Sequence, residues 1–573
     1  MSEKINIMKT NLLNLSLVAL LALMGCEKRL ELYPLDVPSA NTFFANETEI
    51  QGGVNACYTN LTAGNNGYLS PEFSWDALAE TVFIRGGGFA QNLMMSTLDY
   101  KEGYFRTMWT ANYQGIARCN LMLQKIEENK SKLTAASIKQ YQGEVYFLRA
   151  YYYLKLTNMF GDVVYIDKPV STVSEGKSVA RTPRADVLKK IYADFDMSAQ
   201  LLAGSTVKTM GRATAGAAMA FKARAALHNN DWATAAAAAK VVIDSKQFSL
   251  MPKYSTLFTE AVLNSTANTE QIFTQMHLYS AGNATGFPQI TSARSVAGGY
   301  TTVVPTQNMI DSYQCTDGLD ISKSPLYNKL SPYDKRDPRM RYSVVLPGDM
   351  WNGFVYDTRM DKPNTLNSAG QTVKNLDSYN STVFTSFTGY LVRKYYDFKY
   401  VSALTQCETP FMLCRYAEVL LTFAEAKIEL NQIDADCINA LNLVRGRSDV
   451  NMPLANAGMG QAALRKLVRY ERKVELWNEN LRWDDLLRWK RAEVILTRPI
   501  MGRPVLGDFN KYPAVTFDAE GEPIYNVAAY APHPSTDYRV LILTNFNKAR
   551  DYLWPISETE LNLNPALKQN PGW

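Results

Sequence analysis

The stretch 104–160 constrains this chain more than any other. Over 104–130 apolar residues fall at Phe105, Met108, Trp109, Tyr113, Ile116, Leu121, Leu123 and Ile126, and helical spacing resumes over 137–160 until Gly161 stops it. On the second run Tyr141, Val145, Leu148, Tyr152 and Leu156 share one stripe at 3.6-residue spacing. Two such helices joined by a short polar link hide their stripes by packing antiparallel. The chain is therefore expected to be mainly α.

Two further groups repeat the pattern. The first covers 184–202 and 213–227, an Asn229-Asn230-Asp231 turn, and 233–244, where five alanines, Ala235 to Ala239, favour helix and let a neighbour approach closely. The second covers 411–430, a turn at 431–434, 435–447 and 461–478. Helix pairs with small residues at the crossing and short turns resemble tetratricopeptide repeats, although no clean 34-residue period is present. Trp109, Trp232, Trp477, Trp483 and Trp489 lie in these helical patterns and are assigned to the core.

The stretches 279–406 and 498–552 break the helical pattern. The first is dense in Gly, Ser, Thr, Asn and Tyr, with strand-like pieces at 341–346 and 390–396. Loops of that length carried on a scaffold are usually functional, and their aromatic content argues against disorder. The stretch 64–99 is similar. A ring-lined surface suits the faces of a sugar or a peptide side chain. The candidate rings are Tyr68, Trp75, Phe83, Phe89, Tyr279, Phe287, Tyr300 and Trp351, with Arg85, Asn92, Asn283 and Asn352 as polar neighbours.

Composition narrows the chemistry. The 573 residues are 46% hydrophobic and 20% charged, an ordinary globular mixture, and the net charge of +5 is too small and dispersed to imply nucleic acid. With only His228, His277 and His533 as histidines, a metal centre or histidine-based catalysis starts at a disadvantage. No GxSxG, HExxH or GxxxxGK[ST] string occurs. Carboxylate pairs at Asp484/Asp485, Glu471/Glu475, Asp317/Asp320 and Asp334/Asp337 have the spacing a glycosidase could use, but charged residues at this density produce such pairs by chance. Glu471, Glu475 and Glu479, four residues apart beside Arg472, Arg482 and Arg488, read as a solvated or salt-bridged helix face. Asp317-Gly318 and Asp320 lack the rest of a calcium loop. The expectation is a binding protein with no catalytic residues, cofactor or metal.

At the N-terminus Met8-Lys9 precedes an apolar run over 12–24 and then Gly25-Cys26, the anatomy of an export signal too short to be a secure membrane span. Leu23-Met24-Gly25-Cys26 resembles a bacterial lipobox, which implies that residues 1–25 are removed and Cys26 carries the lipid. Of the other six cysteines, Cys57, Cys119, Cys315, Cys407, Cys414 and Cys437, none forms a CxxC pair. Cys119 and Cys437 read as small core residues, and a disulfide between Cys407 and Cys414 stays open.

Strings from one end of the chain to the other resemble the SusD/RagB family of outer-membrane lipoproteins. They are GEVYFLRAYYYLKLTNMFG at 143–161, ARTPR at 180–184 with its following helix, GRATAGAAMAFKARAAL at 211–227, YDKRDPRM at 333–340, TGYLVRKYYD at 388–397, CRYAEVLLTFAEA at 414–426, ERKVELWNENLRWDDLLRW at 471–489 and NPALKQNPGW at 564–573. Relatives commonly carry Glu-Gly where this chain has Glu479-Asn480, and Asn is the next-best residue for a left-handed cap. Glu27-Lys28-Arg29 lacks the acidic run that marks surface export in some relatives.

The resemblance implies a SusD-like helical scaffold with a loop-rich, partly β insertion carrying the ligand surface. It divides the chain into a leader at 1–25, a helical region at 26–245 and a C-terminal region at 246–573. It further implies a lipid anchor in the outer membrane facing outward, capture of an oligo- or polysaccharide, and delivery to a SusC-like TonB-dependent transporter. A peptide-binding RagB-like lipoprotein and a helical-repeat scaffold that binds no nutrient are the alternatives. The ligand set expected is Trp75, Phe83, Arg85, Phe89, Tyr279, Phe287, Tyr300 and Trp351.

Overall fold

The computed structural model describes residues 44, 46–62, 74–86, 88–205, 209–381, 384–527 and 538–573. The leader, Cys26, Tyr68 and His533 lie outside the described residues. Helix α1 (Glu47–Tyr58) starts where the Asn46 carboxamide accepts the Glu49 N–H at 3.0 Å. The paired runs become α2 (Gly103–Glu128) and α3 (Ala135–Phe160), the latter capped by Thr134 and stopped at Gly161. The stripe Tyr141, Val145, Leu148, Tyr152 and Leu156 is buried, and so are Phe147, Tyr151 and Tyr153 around the rest of α3. A helix apolar on so many sides belongs at the centre, and α3 packs against α2 on one side and α4 (Arg184–Leu201) on the other.

The α2–α3 crossing depends on Gly115. A Cβ there would lie 2.6 Å from the Tyr152 ring, whose hydroxyl donates to the Cys57 carbonyl at 2.6 Å. Gly115→Ala is expected to cost about 1–3 kcal/mol, because the ring can move only by giving up that bond. Denaturant unfolding measures it, and a variant as stable as the parent would contradict the packing.

Next come α5 (Ala215–His228) and α6 (Trp232–Asp244); Ala235, Ala236, Ala238 and Ala239 are buried where α6 meets α5 and α7 (Tyr416–Glu429). The stretch 411–430 is not one helix as expected. Phe411–Arg415 is a strand paired antiparallel with Gln271–Gln275, and the helix begins at Tyr416, whose N–H reaches the Glu270 carbonyl at 2.8 Å. A short apolar run does not reveal which it will be, and a distant partner strand decides. Likewise 341–346 is helical through Ser343, and only Val344–Val345 pairs, with Leu391–Val392. Among the described residues every sheet has two strands, so loops and hairpins are clipped onto a helical body.

After α8 (Ala435–Arg445) and α9 (Gly460–Glu475), Asn478 and Asn480 take φ of +59° and +66° before α10 (Arg482–Arg488), so asparagine does serve as the left-handed turn residue. Here the solvated alternative for the charged face is overturned. Asp337, Glu270, Glu471, Glu475 and Glu479 are buried against Arg339, Arg415, Arg445, Arg447 and Lys394. Arg415 alone bonds Glu270, Glu475 and Glu479 at 2.7, 2.8 and 2.7 Å. A second cluster joins Arg472 and Arg488 to Asp485 and Glu425. A third joins Arg482 and Lys473 to Glu80 and Glu522.

All six described cysteines are buried free thiols in this structure. The structure does not join Cys407 to Cys414, the pair left open above. Cys414 sits within the strand, and the Cys407 thiol points to Thr409 Oγ1 at 3.2 Å.

Candidate functional site

The strand Val82–Ile84 pairs antiparallel with Val303–Pro305, and the ladder runs on one step as the Arg85 N–H donates to the Thr302 carbonyl at 2.8 Å. That pairing carries Arg85 to the edge of the loop 285–302. Its guanidinium donates to the Tyr300 carbonyl at 2.6 Å and lies 4.7 Å above the Phe384 ring. Arg294 approaches the same ring at 5.6 Å while donating to the Gly299 carbonyl, and the Arg294 N–H is held by Asp377 at 2.7 Å. Burial raises the Asp377 carboxyl, and the hydrogen bonds it accepts from the 294–295 loop oppose that. Tyr300 is 37% and Phe384 49% exposed, so two aromatic residues and two cations meet near the surface.

A hairpin flanks this patch. Met350–Trp351 pairs with Phe354–Val355, and Asn352 and Gly353 fill the turn with φ of +49° and +85°, as a two-residue hairpin loop requires. The Asn352 amide donates to the Tyr396 hydroxyl at 3.0 Å, and that hydroxyl meets Ser292 Oγ at 2.8 Å, which ties the hairpin to the loop bearing Arg294. Trp351 itself is buried, under Phe398 at 4.6 Å and beside Tyr396 at 5.0 Å; Phe398 is 53% exposed. Tyr279 is also 53% exposed but stands on another turn, its N–H on Glu408 at 2.7 Å and its hydroxyl near Gln406.

Of the residues expected from the sequence to meet ligand, Arg85 and Tyr300 come together and Tyr279 is at the surface elsewhere. Trp75, Phe83, Phe89, Phe287 and Trp351 are buried. Trp75 and Phe89 pack on Trp554 at 5.6 and 5.3 Å, and Phe83 faces Phe387 at 6.2 Å. Rings without a solvent-facing side cannot stack on a ligand, so these five fill the core. Phe384, Phe398 and Arg294 were not anticipated. Asn352-Gly353 between apolar residues is the signal that could have placed the hairpin; nothing local marks Phe384. Among the helical tryptophans Trp109, Trp477 and Trp483 are buried, whereas Trp232 and Trp489 are only partly so.

Seven of the eight paired carboxylates are taken up by cations or loop donors, Asp334 by Arg341, whereas Asp484 lines a pocket with Glu479 and His228. Arg339 occupies both Glu471 and Glu475, Arg472 and Arg488 occupy Asp485, and Arg339 holds Asp337 at 2.7 Å. Asp317 caps its own loop, accepting from the Leu319 N–H and Ser324 Oγ, and Asp320 takes Ser322 and Lys323. Among the described residues no group of three or more His, Cys, Asp or Glu could hold a metal ion.

Residues 264–573 match the sequence model of the SusD family, and residues 35–227 match a model described as starch-binding associating with outer membrane. SusD-like protein P2 of Formosa agariphila is 25% identical, with 97% of this chain and 98% of that protein aligned. A SusD-like carbohydrate-binding protein from Bacteroides fragilis, known by crystal structure, superposes with a TM-score of 0.78 at 27% identity, covering 92% of this chain and 100% of that one. A laminarin-binding SusD-like protein shares the fold, with a TM-score of 0.65 at 19% identity over 92% of this chain and 100% of that one.

Proposed function

Because the chain belongs to the SusD family, we propose that it is a lipid-anchored outer-membrane receptor that captures an oligo- or polysaccharide and passes it to a SusC-like TonB-dependent transporter. Cys26 carries the anchor, and the ring-bearing face looks outward. The observation that carries the reading is the patch of Tyr300 and Phe384 with Arg85 and Arg294, flanked by Phe398. Sugar rings present flat C–H faces that stack on exposed aromatics, and the guanidiniums beside them offer donors to hydroxyl or carboxyl oxygens. No bond needs to be made or broken. Capture for delivery calls for fast release, so a dissociation constant in the micromolar to millimolar range, about −8 to −4 kcal/mol, fits the task.

Losing one stacking ring removes about 0.5–1.5 kcal/mol. Tyr300→Ala and Phe384→Ala are each expected to weaken glycan binding roughly 2- to 13-fold and to leave thermal unfolding near that of the parent. Calorimetry or affinity electrophoresis across a panel of polysaccharides reads the change. A panel member bound equally well by the parent and both variants would remove the patch from the account.

A further inference from the structure

We propose that Cys57 of α1 and Cys119 of α2 form a disulfide in the exported protein, stapling the first helix to the body; this rests on the export proposed above. The two helices run antiparallel. Asn60, just past α1, donates to the Ala111 carbonyl at 2.7 Å, Arg118 donates to Thr59 Oγ1 at 2.6 Å, and Gly53 faces Met122 so closely that a Cβ would lie 2.5 Å from its sulfur. Partners thus descend α2 as they ascend α1, and Cys57 and Cys119 share the turn between these contacts. Both are fully buried. The Cys57 thiol reaches the Gly53 carbonyl at 3.5 Å, and the Cys119 thiol is pushed up by burial and then by the neighbouring Cys57. Among the described residues no metal-binding cluster includes them.

The chemistry is a thiol–disulfide exchange. One thiolate attacks the disulfide of an exported thiol oxidase, releasing one of the oxidase's sulfurs; the second cysteine sulfur then displaces the other. Two protons and two electrons leave the pair, and the oxidase ends as a dithiol. Since both thiols are closed off once α1 docks, the exchange takes place during folding, in the oxidising compartment the chain is exported to. The consequence is mechanical. A tether at Cys26 pulls first on α1, and a cross-link closing residues 58–118 into a loop keeps that helix from peeling away.

The full chain with its own leader, recovered from the membrane fraction, is denatured in N-ethylmaleimide before any reductant and mapped by peptide mass spectrometry. The expected map links the Cys57 and Cys119 peptides and shows Cys315, Cys407, Cys414 and Cys437 alkylated. Six alkylated cysteines in the membrane-recovered chain would overturn the cross-link alone. A cytosolic chain with its leader intact would overturn export and the cross-link together. Reductant should also lower the thermal midpoint of the parent by several degrees and leave the Cys57→Ala/Cys119→Ala double variant unmoved; equal responses would refute the staple.

Discussion

Arg415→Met is expected to destabilise the protein by about 3–5 kcal/mol, the range for removing one partner of a buried ion pair. Met fills much of the same space, so the loss comes from what the guanidinium leaves behind. Glu270, Glu475 and Glu479 all bond it, and all are buried. Arg447 still reaches Glu270 and Glu475, and Lys394 still reaches Glu479 at 2.6 Å, but the cluster then holds one more negative charge than positive away from water. Because these groups join the strand at 411–415 to α9 and the turn after it, the damage spreads to the junction that carries the loops. Lys189→Met, at an exposed pair with Asp186, is the control and should change almost nothing. Urea unfolding of the two variants side by side decides: equal midpoints would mean that the buried network contributes no more than a surface pair.

The helices were legible because their signal is local. Residues 184–202, 213–227 and 233–244 become Arg184–Leu201, Ala215–His228 and Trp232–Asp244, since a stripe at 3.6-residue spacing needs only some apolar partner. Burial of the loop aromatics was not legible, because it depends on residues far along the chain. Trp75 reads as a loop ring until Trp554 covers it, and Phe83 until Phe387 does. The exposed patch is equally non-local: Arg85, Arg294 and Phe384 come from three separate segments, brought together by strand pairing and loop bonds. The same holds for Glu471, Glu475 and Glu479. Their spacing announces a charged stripe, but only the arrival of Arg339, Arg415 and Lys394 from elsewhere makes it an interior one.

The interior charges also set how the protein should respond to acid: stability is expected to hold or rise slightly from pH 7 to 5 and then fall steeply below about 4.5. Burial alone would raise Glu475, Glu479, Glu425, Asp485 and Glu522, but their arginine and lysine partners overcome it and hold all five below the usual carboxylate range. As the pH drops through the ordinary values of 4.5 for Glu and 3.8 for Asp, the unfolded chain takes up protons that the folded chain refuses. Each such proton removes about 1.4 kcal/mol of stability per pH unit. Above that window the contributions oppose one another. Burial raises Asp76 to about 7 and Asp311 to about 6, and raises Asp194 and Asp377, so the folded state binds the extra protons and gains as pH falls. Burial lowers His277 to about 4 and His228 well below its ordinary value, so there the unfolded state binds first and stability declines from about pH 6.5. Thermal midpoints at pH 7, 5, 4 and 3 in one low-salt buffer series test the shape. A midpoint that keeps rising below pH 4 would mean that the buried carboxylates are not held ionised by their partners. Arg415→Met should descend less steeply in acid than the parent, since with one of their cations gone the folded Glu475 and Glu479 take up protons more readily and the excess buried negative charge is relieved.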